Sequence, residues 1–98
     1  RKVAQMVVGV GTATLRIAAA RNLKDKRRLL KSLLARLHNR FQVAVAEVGY
    51  QDSHQQAEVG VACVSSNSSH ASSILTAVMN YIESETEIEL ISFRTELL

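Results

Sequence analysis

The apolar residues of this chain keep two different periods, and the order in which those periods alternate limits the folds open to it. Val7 to Ile17 is rich in Val, Thr, Leu and Ile and reads as a strand. Gly9 and Gly11 interrupt it and point to a close backbone approach on one face. Leu30, Leu33, Leu34 and Leu37 then recur at helical spacing, and Phe41 extends the stripe. Asn22 is a good N-cap for this helix, with Asp25 placed to complete a capping box. The spacing predicts a helix over Leu23 to Asn39, with Asn39 near its C-terminal cap. Phe41 to Val48, with β-branched residues at Val43, Val45 and Val48, is a second strand. Gly49 to Ser53 is turn-like, and Gln56 to Ser65 is a third strand, so the two form a hairpin. The crowded Ser65 to Ser69 segment supplies caps for a second helix. Its stripe is Ala71, Ile74, Leu75, Val78 and Ile82, and it ends near Ser84. Glu87 to Glu96 is the last strand, and the parity shift between Leu90 and Ile91 predicts a bulge.

The order β-α-β-β-α-β with right-handed crossovers gives an α+β, ferredoxin-like fold. Its four-stranded antiparallel sheet, in strand order 4-1-3-2, carries two helices on one face. Residues 1–98 make one domain, and an apolar content of 47% is too high for disorder. Met6 is a candidate native start, with residues 1–5 either an added or a natural extension. The expected core is Leu30, Leu33, Leu34, Leu37, Val61, Ile74, Leu75, Val78 and Ile82. No apolar run approaches the roughly 20 residues of a membrane span. The single cysteine, Cys63, cannot form an internal disulfide, which points to a cytoplasmic protein. It sits in an apolar run and is expected to be a small core residue.

Strands 2 and 4 are the sheet edges in this order. Strand 4 is defended by Glu87, Glu89, Arg94 and Glu96, whereas Phe41 to Ala46 carries no charge. Gly9, Gly11, Gly60 and Ala62 keep the central strands thin. A homodimer is therefore expected, through the strand 41–48 edge or the open sheet face.

The residues argue against catalysis, a metal site or a cofactor. His38, His54 and His70 are sixteen residues apart and read as surface imidazoles. Gly9-Val10-Gly11 lies within a strand and has Thr14 where a dinucleotide fingerprint needs glycine. Glu83, Glu85, Glu87 and Glu89 resemble a carboxylate cluster, but alternation puts the last two on the solvent side of an edge. No serine has a nucleophile-elbow context.

Charge is the informative feature. The net is only +3, yet residues 1–46 hold eleven Lys/Arg against one acid, and residues 47–98 hold one Arg against eight acids. Lys24, Lys26, Arg27, Arg28, Lys31, Arg36 and Arg40 lie on or beside helix 1. At 100° per residue, Lys24, Arg27, Arg28 and Lys31 gather on one flank with His38, and Arg36 and Arg40 lie on the other. A solvated helix face is the plain alternative. Two features favour a phosphate-contacting surface made of Lys24, Arg27, Arg28, Lys31, Arg36 and Arg40. Only Asp25 is available for ion pairs along the helix, and the cations crowd the N-terminal end, where the macrodipole disfavours them. RNA-recognition motifs share the topology but stack bases on aromatics of the central strands. Strands 1 and 3 contain none, so RNA contact would be electrostatic and shape-led.

Asn22 to Leu33, which reads NLKDKRRLLKSL, resembles the basic start of helix 1 in the YlxP-like family of small bacterial proteins. Asn39 to Val48, with Gln51, Asp52, Gln55, Gln56 and Ala57 beyond, resembles that family's second signature. The similarity runs from Val7 to the C-terminus. It implies a ferredoxin-like fold, no assigned activity, and, because family genes often neighbour translation-initiation and ribosome-maturation genes, a partner that is RNA or the ribosome. The matching positions are Lys24, Lys26, Arg27, Arg28, Asn39, Arg40, Phe41, Glu47 and Asp52. The sequence departs from the family at Ala18 to Arg21, where a Pro-Gly-Ser-His type turn is usual, and at His54, which replaces an aromatic. The reading is a non-catalytic RNA- or ribosome-associated module. The alternative is a homo-oligomeric regulatory or scaffold domain that binds a protein or a small anion.

Overall fold

The computed structural model describes residues 5–98. All but Gln5 of the extension expected at residues 1–5 therefore lies outside the described residues. The element order is β1 (Val7–Arg16), α1 (Leu23–Phe41), β2 (Ala44–Gly49), β3 (Gln56–Ser65), α2 (Ser68–Glu83) and β4 (Glu89–Leu97). The strands form one antiparallel sheet in the order β2-β3-β1-β4, with both helices against one face. This is the expected ferredoxin-like α+β architecture.

Alternation along the central strands divides the sheet into an inner and an outer face. Ala13 and Leu15 of β1, with Ala57, Val59 and Val61 of β3, point toward the helices and are buried. Leu30, Leu33 and Leu37 of α1 and Leu75, Val78 and Ile82 of α2 close over them. Each such side chain contributes about 1.5–3 kcal/mol through burial. Leu34 and Ile74, expected in the core, are only partly buried at its margin. Each sits at the edge of its helix stripe, rotated about 70° from the line facing the sheet.

Gly9 and Gly11 belong to the inner face, not to the open one. A Cβ on Gly9 would lie 3.0 Å from Cys63 Sγ, and one on Gly11 would lie 2.7 Å from Phe93 Cζ. These glycines let α2 and Phe93 sit close to β1. Cys63 is buried as expected. The β4 bulge is present: Thr14 pairs with Ser92 and Leu15 with Leu90, so Ile91 has no partner on β1. Its side chain turns outward, half exposed.

Helix α1 runs two residues beyond the expected Asn39. Gln42 takes the left-handed conformation (φ 55°) and its N–H returns to the His38 carbonyl at 2.9 Å. Phe41 is thus the end of the helix, not the start of a strand, and Gln42, not Asn39, is the cap. Among the described residues no helix is long and apolar enough to cross a membrane.

Candidate nucleic-acid interface

The start of α1 is fixed from both sides of its first turn. The Asn22 side chain accepts the Asp25 N–H at 2.8 Å, as an N-cap should. Asp25 does not complete the capping box. Its carboxylate accepts from the Arg21 N–H at 3.2 Å and lies 4.0 Å from the Arg21 guanidinium.

Lys26 stands apart from the other cations. It occupies the leucine stripe and is fully buried. Its ammonium donates to the Tyr50 carbonyl at 2.7 Å and lies 2.8 Å from Glu47 Oε2. That oxygen makes no hydrogen bond of its own, so the contact with Glu47 is coulombic and off-axis. Tyr50 holds φ 58°, an uncommon conformation for a non-glycine residue, and this places its carbonyl over the ammonium. Lys26 therefore anchors α1 to the β2–β3 turn. Sequence reasoning missed this role, although residues 26, 30, 33 and 37 share one line of the helix.

The six candidate phosphate-contacting residues divide into two groups. Lys24, Arg27, Arg28 and Lys31 are exposed and enter no ion pair among the described residues. They cover about 10 Å along the N-terminal half of α1. Arg36 is committed elsewhere: it forms a bidentate pair with Glu85 (2.7 and 2.9 Å) and donates to the Tyr81 hydroxyl at 3.1 Å. That pairing pulls the Glu85 carboxyl below its ordinary pKa and raises that of Arg36, against the opposing cost of burial. The Arg40 guanidinium sits 5.4 Å from the Tyr81 ring centre and 5.8 Å from that of Phe41. The cations that enter no such contact thus lie on the N-terminal half of the helix.

Two hollows border those cations. An open groove of about 720 Å³ separates α1 from β2, with Arg27, Lys31 and His38 on one wall and Ala44, Val45 and Glu47 on the other. Arg28 turns the opposite way, into a hollow it shares with Arg36, Glu85 and Glu87. The outer edge of β2 is also less open than its uncharged sequence suggests. His38 Nδ1 lies 2.9 Å from the Val43 carbonyl, and Gln51 Nε2 donates to the Glu47 carbonyl at 3.0 Å. The open face of β1 and β3 offers no aromatic side chain for base stacking. Among the described residues no three His, Cys, Asp or Glu side chains gather closely enough to hold a metal ion.

Comparison with known proteins gives a consistent kinship. A family model described as "Protein of unknown function (DUF503)" matches residues 8–95. The Uncharacterized protein YlxP of Bacillus subtilis (strain 168) is 39% identical over 90 residues, covering 92% of this chain and 98% of that protein. Among solved structures, the de novo designed protein Foldit4 superposes with a TM-score of 0.54 at 18% identity, over 92% of this chain and 96% of that one. The last likeness concerns the fold alone.

Proposed function

This chain belongs to the DUF503 family, and from that premise and the geometry above we propose that it is a non-catalytic RNA-binding module whose first helix engages the phosphate backbone. One observation carries the reading. Lys24, Arg27, Arg28 and Lys31 stand exposed without ion pairs among the described residues, while three of the nearby acids are already engaged: Asp25 with Arg21, Glu47 with Lys26 and Glu85 with Arg36; only Glu87, in the hollow beside Arg28, stays unpaired there. Four unneutralised cations at the positive end of a helix dipole carry an electrostatic cost, which a polyanion removes. The contact is to phosphate and shape, since no aromatic platform faces outward on the sheet. RNA is preferred over DNA on the family's implied connection with translation.

The test compares the unmodified protein with the double variant Arg27→Glu/Arg28→Glu, using 16S ribosomal RNA and a single-stranded RNA oligonucleotide as probes at low salt. Binding by the unmodified chain, weakened about tenfold or more by the double reversal, supports the reading. Thermal stability should change little, because exposed charges contribute little to folding. An absence of binding to both probes, or binding indifferent to the reversal, overturns it.

A further inference from the structure

We propose that the open face of the sheet is covered by a second copy of this chain, packed sheet against sheet. The helices occupy only the inner face, which leaves the outer one without a layer among the described residues. Its middle rows are Val10, Ala62 and Ala44, then Thr12, Gly60 and Ala46. These side chains are short, so the face is a shallow, open apolar hollow of about 390 Å³ that a second sheet can approach to roughly 10 Å. Val48 and Val64 flank those rows at 54% and 65% exposure, high for branched apolar residues.

Charge and area point to a second copy as the occupant. On β4, Arg94 lies in the Thr12 row and Glu96 in the Val10 row, so opposite charges occupy adjacent rows of one face. A two-fold axis crossing the strands between those rows sets Arg94 against Glu96 of a second copy, and the reverse. One copy thereby satisfies the rim charges of the other while Ala62 lies over Gly60 at the centre. Among the described residues of one chain, Arg94 pairs only with Glu58, at 3.8 Å and largely exposed on the Arg94 side. Four strands of this length present a face of about 30 by 19 Å, roughly 1,100 Å² for the pair, near the low end for specific association. The affinity should therefore be modest. The competing seam, the β2 edge, has its Glu47 carbonyl occupied by Gln51, and His38 meets the Val43 carbonyl just before the strand. The proposal is independent of the RNA reading, because α1 lies on the far side of the sheet.

Sedimentation equilibrium on the full chain tests it, with circular dichroism to verify folding. The unmodified chain should reach a dimer by high micromolar concentration. Ala62→Glu places a charge at the centre of the face, and Val64→Glu places one where the side chain is already solvated and folding is safe. Both should stay monomeric at the same concentration. Arg94→Glu alone should weaken the dimer severalfold, and Arg94→Glu/Glu96→Arg should restore it. Arg27→Glu/Arg28→Glu should leave it intact, which separates this result from RNA binding. A monomer at every concentration overturns the proposal, and so does a dimer that survives both Ala62→Glu and Val64→Glu.

Discussion

A lysine in the apolar stripe of a helix is costly unless its charge is answered, and Lys26 is answered twice. Its stem fills the position one turn before Leu30, and its ammonium reaches the Tyr50 carbonyl and Glu47. Removing the ammonium while keeping the stem leaves Glu47, whose side chain is only 21% exposed, without its cation. It also leaves a left-handed Tyr50 without the contact that holds it. Lys26→Met should therefore lower stability by about 2–3 kcal/mol, or roughly 10–20 °C in melting temperature. Lys26→Met/Glu47→Leu should recover most of that loss, because a matched apolar pair avoids both the desolvation cost and the orphaned charge. Urea unfolding of the single and double variants decides it. A neutral Lys26→Met would show that α1 is held at this end by its leucines alone.

At the level of elements, the order, the strand pairing and the β4 bulge were legible in the sequence because each rests on a local period. The misreadings arise where a side chain serves a distant element. Phe41 looks like the first residue of an apolar strand, yet it closes α1 because its ring packs edge-on against Tyr81 of α2, 5.6 Å away. Arg36 looks like one more cation of a basic helix, but Glu85, which it grips, lies 49 positions on. No window of sequence spans that distance. The Arg36–Glu85 pair joins α1 to the end of α2 and has a pH signature. Arg36 holds the Glu85 carboxyl below its ordinary value of 4.5, so the folded chain binds fewer protons there than the unfolded one. The pair's stabilisation is then complete above that value and is lost as pH falls through the lowered one. Glu85→Gln should cost about 1 kcal/mol near neutrality, and its deficit should shrink on acidification below about pH 4.5. Thermal melts of both proteins from neutral pH to pH 3 measure this, and a deficit that stays constant would exclude the pair as its source.

Across the whole molecule, folding joins a basic half to an acidic one without cancelling them. Three ion pairs cross the division, Arg16–Glu89, Lys26–Glu47 and Arg36–Glu85. They consume acids of the second half and leave the surplus positive charge on the first two turns of α1. Glu83, Glu87 and Glu96 remain exposed on other elements, so the molecule keeps a dipole with its positive end at that helix. A polyanion approaching from the α1 side is steered inward, and one approaching the acidic side is repelled. Salt reports how many phosphates the basic end then neutralises. Four contacts on a single strand predict a slope of log K against log salt near −3, or about fiftyfold weaker binding between 50 and 200 mM salt. Lys24→Ala should reduce the slope by about 0.7 and weaken binding to all sequences alike, since it removes a phosphate contact without removing any base readout. Fluorescence anisotropy with a labelled single-stranded RNA, titrated over that range, gives both values. A slope near zero would mean that the affinity does not come from these cations. A slope much steeper than −3 would recruit Arg40 or Arg21 to the interface and enlarge the surface beyond the first two turns.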